Sequence, residues 1–170
     1  MEIVISGYGK MGKAVEQILK QREHNLLTVI DSVKDFAELY PQKAVCIDFS
    51  TPDAFKENYK TLADNFDAVI VGTTGWDEIA KEVLDYFKTK NKSLVYASNF
   101  SLGVNIYFET LEYISGLISD HANYEPYIIE LHHKEKLDKP SGTALSIQEI
   151  LKSNLKKEPV ISSLRCGYIK

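Results

Sequence analysis

The chain of 170 residues is short of several things, and each shortage removes a class of function. It has only two cysteines, Cys46 and Cys166, far apart and outside any CxxC or Cys/His spacing. A disulfide framework and a thiolate metal site are therefore excluded, and two reduced, structural thiols in a cytoplasmic protein are expected. No apolar run approaches the length that spans a membrane. Met1 leads straight into Glu2-Ile3-Val4-Ile5 with no basic segment, so no signal peptide is expected. Positive charge is not in excess: 20 Lys and Arg against 24 Asp and Glu give a net charge of -4, which argues against a general nucleic-acid binder. His132 and His133 are adjacent and no third ligand stands at usable spacing, so no metal site is expected. What is present is 44% hydrophobic, enough for a core, in a length that suits one domain or a domain and a half.

Short apolar runs alternate with helical patterns through the first hundred residues. Ile3-Val4-Ile5, Leu26 to Ile30, Ala44 to Phe49, Ala68 to Val71 and Leu94 to Ala97 read as strands. Met11, Ala14, Val15, Ile18 and Leu19 recur at helical spacing, as do Phe55, Tyr59, Leu62 and Ala63, and then Ile79, Val83, Leu84 and Phe87. Thr51-Pro52 is a start signal for the second of these helices, and Asp77 is expected to cap the third. Such alternation implies an α/β fold, a Rossmann-like parallel sheet covered on both faces by helices. Ligands of such sheets bind at the carboxyl ends of the strands. Gly7 to Gly12, Asp31, Ser50-Thr51, Gly72 to Gly75 and Ser98 to Ser101 all fall at such ends.

After Phe100 the pattern changes. Val104 to Ile118 reads as a long helix, Tyr127 begins a strand, a helix runs from Ala144 to about Leu155, and Ile161 to Ile169 reads as a last strand. A boundary near Ser98 to Gly103 gives a dinucleotide-binding domain over 1–100 and a smaller α+β substrate and oligomerisation domain over 101–170. Two strands rarely make a stable sheet alone. The second domain is therefore expected to be truncated, or completed by further chain or by a partner subunit.

Gly7-x-Gly9-x-x-Gly12 follows a strand and opens a helix, the context a dinucleotide fingerprint requires. Gly7 suits the tight turn, Gly9 a backbone approach to pyrophosphate, and Gly12 close helix packing. Asp31, ending the second strand, is placed to accept hydrogen bonds from a ribose 2′-hydroxyl. Its charge tilts the expected cofactor, NADH or NADPH, toward NADH, with Lys34 nearby to soften that preference. Gly72, Thr73 and Thr74 are candidates for the nicotinamide side, and Asn99 and Phe100 for its pocket.

Glu130 to Ala144 reads ELHHKEKLDKPSGTA and joins a strand to a helix. Pro140-Ser141-Gly142-Thr143 is a helix start with Ser141 or Thr143 as the cap. The amides there, with Lys134, Lys136, Lys139 and the two histidines, suit a small carboxylate-bearing or phosphate-bearing ligand beside a proton donor.

GYGKMG, GTTG, ASNFSLGVN and ELHHKEKLDKPSGTAL, in that order, resemble the 4-hydroxy-tetrahydrodipicolinate reductases of lysine and diaminopimelate synthesis. The resemblance implies a soluble cytoplasmic enzyme, assembled as a homotetramer, that reduces a cyclic dicarboxylate with a nicotinamide cofactor. It implies that Gly7, Tyr8, Gly9, Lys10, Met11, Gly12, Asp31, Gly72, Thr73, Thr74, Ala97, Ser98, Asn99 and Phe100 bind cofactor. It implies proton donation by His132 and Lys136, and substrate binding by His133, Ser141, Gly142 and Thr143. It also implies further strands and a closing helix beyond the position of Lys170. Two other readings stand beside it: an oxidoreductase acting on a different small acid, and a truncated, non-catalytic nucleotide-binding module.

Overall fold

A computed structural model describes residues 1–32, 35–36, 42–121 and 123–168. The chain divides into two compact units, Met1–Phe100 and Ser101–Lys170. In the first, five strands alternate with helices: β1 (Glu2–Ser6), α1 (Lys10–Gln21), β2 (Asn25–Ile30), β3 (Gln42–Asp48), α2 (Pro52–Asn65), β4 (Phe66–Val71), α3 (Ala80–Thr89) and β5 (Ser93–Tyr96). All pairings are parallel, in the order β2-β1-β3-β4-β5. The order reverses at β1, which lies between β2 and β3, so the crevice of a doubly wound sheet falls at the carboxyl ends of β1 and β3. Pairing register sets Ile30, Ser6, Asp48, Val71 and Tyr96 level with one another, one from each strand. The turns after the strands therefore share one edge.

Successive strand residues face opposite sides. Val4, Cys46, Val69 and Val71 are buried against Phe55, Tyr59 and Leu62 of α2 and Val83 and Phe87 of α3. Ile3 and Ile5 face the other way, under Leu19 and Val15 of α1. Helices thus cover both faces, as the alternation predicts. The apolar stripe of α1 is narrower than its sequence period, for Met11 and Ile18 are exposed, and Leu84 of α3 is exposed too. Thr51 caps α2, accepting a hydrogen bond from the Ala54 amide, with proline in the first turn. Asp77 does not cap α3; it begins a short 3-10 turn, Asp77–Ile79, that runs into the helix. The buried Trp76 sets that path. Its indole N–H donates to the Thr73 carbonyl (2.7 Å), and its ring lies 4.9 Å from Phe55 and 4.3 Å from Tyr96, centroid to centroid.

The second unit holds α4 (Leu102–Leu117), β6 (Tyr127–His132), α5 (Gly142–Leu155) and β7 (Val160–Arg165). β6 and β7 pair in parallel and α5 connects them. Ile128, Ala144 and Leu151 form the buried centre, with Leu111, Ile147 and Ile161 packed on it. Asn154 Nδ2 donates to Ser115 Oγ (2.8 Å), tying α5 to α4. The opposite face of the strand pair, carrying Tyr127, Ile129, Leu131, Val160 and Leu164, is exposed. β7 ends earlier than its sequence pattern, because the chain turns at Gly167, whose φ of 57° is left-handed. Ile169 lies outside the described residues. Both cysteines are free, Cys46 buried and Cys166 exposed.

Phe55 is 1% exposed and touches both Trp76 and Tyr59. Phe55→Ala is expected to cost about 3–5 kcal/mol, read as a fall in the urea midpoint with unchanged slope.

Candidate functional site

In the first unit the candidate site is the carboxyl edge of the sheet. Gly7 turns the chain out of β1 at φ 85°, and its N–H donates to the Ile30 carbonyl (2.8 Å). A side chain there would stand 2.5 Å from the Phe49 carbonyl oxygen. Gly12 packs so closely that a Cβ would collide with the Gly7 carbonyl oxygen. Gly9, by contrast, has open space around it. No side chain caps α1 and no acid stands in its first turn, whereas Thr51, Ser101 and Ser141 cap α2, α4 and α5. The start of α1 is thus suited to an external anion. Asp31 follows β2, and its Oδ1 accepts the Tyr8 N–H (2.8 Å), which brings the predicted ribose-binding acid onto the glycine turn. A cavity of about 270 Å³ runs past Ser6, Gly7, Ile30, Asp31 and Ser50. An open groove of about 420 Å³ runs past Gly9, Lys10, Met11, Phe49, Thr73 and Thr74. Ala97 to Phe100 follow β5 along the same edge, the Ala97 N–H lying 3.5 Å from the Val71 carbonyl. Lys34 lies outside the described residues. These features fit a dinucleotide: an uncapped helix start, a backbone-only approach at Gly9, and an acid beside the turn.

The residue that organises this edge is one the sequence reading passed over. Asp48 ends β3 and is fully buried. Hydroxyls hold it: Ser6 Oγ donates to Oδ2 (2.6 Å), and Thr73 Oγ1 (2.6 Å) and Ser50 Oγ (3.1 Å) donate to Oδ1. One carboxylate thereby joins the end of β1 to the loops after β3 and β4. The signal available in the sequence was an acid closing an otherwise apolar strand, Val45-Cys46-Ile47-Asp48.

In the second unit two of the predicted residues, His132 and Ser141, meet at Glu130. This side chain is buried on the inner face of β6, two residues from His132 and so on its side of the strand. It accepts the Ser141 N–H (3.1 Å) and an Arg165 guanidinium N–H (2.8 Å), and His132 Nε2 lies 3.2 Å from it. Burial pushes the Glu130 carboxyl up, but the hydrogen bonds from Ser141, Ser163 and Arg165 outweigh that and hold it well below the usual range. Ser141 caps α5 through the Ala144 N–H (3.2 Å), leaving Gly142 and Thr143 exposed in the first turn. Thr143 is inside the helix and is not the cap. His133 is half-buried beyond the end of β6. Lys136 Nζ pairs with Asp138 (2.8 Å), and Lys134 Nζ donates to the Tyr168 hydroxyl (2.5 Å). The expected block of positive charge is therefore interleaved with carboxylates. Lys136 first, then other donors, holds the Asp138 carboxyl below its ordinary value. Arg165, which also donates to the Asp138 carbonyl, was not singled out from sequence, where it is a lone cation in a strand.

Known proteins match over the whole length. A family model described as "Dihydrodipicolinate reductase, N-terminus" matches residues 1–100, and one described as "Dihydrodipicolinate reductase, C-terminus" matches residues 103–170. The chain belongs to the dihydrodipicolinate reductase family. Among curated relatives, the 4-hydroxy-tetrahydrodipicolinate reductase of Christiangramia forsetii is 39% identical over 92% of this chain and 66% of its own length. That of Thermosipho africanus is 35% identical over 98% of this chain and 72% of its own. The chain thus spans about two thirds of the length of these relatives. A dihydrodipicolinate reductase from Paenisporosarcina sp. TG-14, solved with dipicolinate bound, shares the fold with a TM-score of 0.67 at 22% identity, over 98% of this chain and 78% of that one.

The hydrogen bonds on Glu130 give stability a signed pH dependence. Its carboxyl is depressed in the folded chain, so the contribution is complete above the ordinary value of 4.5 and is lost as pH falls below it. Glu130→Gln should be less stable than wild type at neutral pH, and the gap should shrink as pH is lowered through the acid range, measured by chemical denaturation at a series of pH values. Asp48→Ala, which leaves the Ser6 and Thr73 hydroxyls without their acceptor, should cost about 1–3 kcal/mol in the same assay.

Proposed function

We propose that the chain carries out NAD(P)H-dependent reduction of 4-hydroxy-2,3,4,5-tetrahydrodipicolinate to tetrahydrodipicolinate, in the diaminopimelate route to lysine. The observation that carries this reading is the His132-His133-x-x-Lys136-x-Asp138-x-Pro140-Ser141-Gly142-Thr143 segment, in a chain of this family, running from a strand end into a helix start. The dipicolinate in the similarly folded reductase, a planar ring with two carboxylates, supports the substrate class.

Gly7 to Gly12 bind the cofactor pyrophosphate at the start of α1. Asp31 takes the adenosine ribose, and its charge favours NADH. Gly72, Thr73, Thr74 and Ala97 to Phe100 line the nicotinamide side. When bound, the cofactor supplies a hydride to ring C4. Ser141, Gly142 and Thr143 receive a substrate carboxylate at the positive end of the α5 dipole, with His133 as a further donor. Elimination of water and arrival of the hydride leave an enamine-like anion, and His132 and Lys136 are the groups that protonate it. Glu130 fixes the orientation of His132 through their 3.2 Å contact. Lys136 exchanges its Asp138 partner for substrate.

Residues 1–100 form the dinucleotide-binding part and residues 101–170 the substrate and assembly part. No helix among the described residues is long and apolar enough to cross a membrane, in keeping with work in the cytoplasm. The exposed apolar face of β6 and β7 suits self-association of the substrate part, as in a homotetramer.

Oxidation of NADH and NADPH, followed with and without freshly generated substrate, tests the activity. Substrate-dependent oxidation is expected, with His132→Ala and Lys136→Ala each lowering kcat by about 100-fold or more. Cofactor binding with no substrate-dependent oxidation would instead indicate a nucleotide-binding module, and near-normal turnover in both variants would overturn the assignment of proton donors.

A further inference from the structure

The two proposed proton donors stand on different pieces of chain, His132 at the end of β6 and Lys136 in the loop that follows. One side chain of β7 touches what holds each of them. Strand pairing sets Arg165 opposite His132, and the Cys166 N–H donates to the His132 carbonyl (3.0 Å), so the two main chains are fastened side by side at that level. Alternate residues share a face of a strand, which puts Arg165 with Ile161 and Ser163 on the side where Glu130 is buried. The Arg165 side chain is only 12% exposed. Its Nη2 donates to Glu130 Oε1 (2.8 Å) and also to the Asp138 carbonyl, and its Nη1 donates to the Leu164 carbonyl (2.9 Å). The other oxygen of Glu130 faces His132 Nε2 (3.2 Å). The Asp138 carboxylate holds Lys136 Nζ (2.8 Å). Arg165 is thus one partner removed from both donors, through Glu130 in one direction and through Asp138 in the other.

We propose that Arg165 is a positioning residue of the reaction: by gripping Glu130 and the Asp138 main chain with one guanidinium, it sets where His132 and Lys136 stand relative to each other. The proposal rests on the reading of those two residues as the proton donors, and Arg165 itself touches neither substrate nor cofactor in it. A buried pair of Arg165 and Glu130 alone would be ordinary structure. The contact such a pair does not need is the second one, to the loop that carries Lys136. Main-chain bonds hold the start of that loop, from the Lys134 N–H to the Gly167 carbonyl (3.2 Å) and from the Lys136 N–H to the His133 carbonyl (3.2 Å). Arg165 holds its later part. A rigid planar fork keeps two acceptors in fixed relation, which a flexible ammonium does not. Lysine therefore separates the two roles: it keeps a cation beside Glu130 and gives up the fixed geometry.

Removing the cation outright would leave Glu130 buried and unpaired, so Arg165→Lys carries the test, with its folding followed by chemical denaturation. Turnover with freshly generated substrate and with NADH or NADPH, whichever the chain oxidises faster, is measured in H2O and in D2O. The proteins compared are the full wild-type chain, Arg165→Lys, His132→Ala and the double variant. Arg165→Lys is expected to lower kcat about tenfold or more, with KM for both ligands within about twofold. The D2O effect on kcat should rise, because protonation by misplaced donors becomes the slower step. In the His132→Ala background the same substitution should cost less than in wild type, since one of the donors it places is already gone. An ion pair that only stabilises the fold moves neither of these last two readouts. An equal loss in both backgrounds, an unchanged D2O effect, a loss carried by KM, or an unaltered kcat would each overturn the proposal. A wild-type chain with no substrate-dependent oxidation would bring down the reading of the reaction, and the proposal with it, a result distinct from the others.

Discussion

A carboxylate removed from water has to be satisfied by donors, since an uncompensated buried charge costs several kcal/mol. Asp48 meets that requirement with the hydroxyls of Ser6, Ser50 and Thr73. The parallel register makes this possible by setting the ends of β1, β3 and β4 level, so one strand end and two loops reach one side chain. In exchange, the strand end and the two loops lose freedom beside the position where the sheet order reverses. The glycine turn after β1 and the Gly72-Thr73-Thr74 loop after β4 are held relative to each other before any ligand arrives, and such preorganisation spares a ligand the entropic cost of ordering them.

The second unit uses the same device with a different partner set. Glu130, buried near the carboxyl end of β6, is held by a guanidinium and a helix-start amide. Asp48 links loops through neutral donors; Glu130 links a strand, a helix cap and the neighbouring strand through Arg165, Ser141 and His132. Removing one partner from such a group leaves the other charge buried and unpaired, which is the costly outcome. His132, proposed to do chemistry, is thus a half-buried member of a network whose buried member does none.

Features written in short sequence windows were legible. Gly7-x-Gly9-x-x-Gly12, Thr51-Pro52 and Ser141 state a turn or a cap within a few residues, and alternation of strand and helix patterns sufficed for a parallel sheet with helices on both faces. Asp48 was not legible, because its partners Ser6 and Thr73 lie 42 and 25 residues away and meet it only through strand register. Arg165 was missed for the same reason, 35 residues from Glu130. Periodicity overcounted the helix faces, since it registers Met11, Ile18 and Leu84 as apolar without knowing how narrow a stripe the sheet covers. Asp77 misled because a buried tryptophan, not the local cap preference, sets the path into α3. The lysine-rich segment read as one block of positive charge because Asp138, plain in the sequence, was not paired in advance with Lys136.

Membership of the dihydrodipicolinate reductase family joins these two arrangements in one proposed reaction. Its most exposed premise is that the edge organised by Asp48 receives the dinucleotide. Titrating NADH into the isotope-labelled chain and following backbone amide resonances tests this directly. The account predicts that shift changes concentrate at residues 7–12, 31–32 and 72–74, in the first unit. Unmoved resonances at those positions, with changes centred elsewhere in the chain, would contradict it.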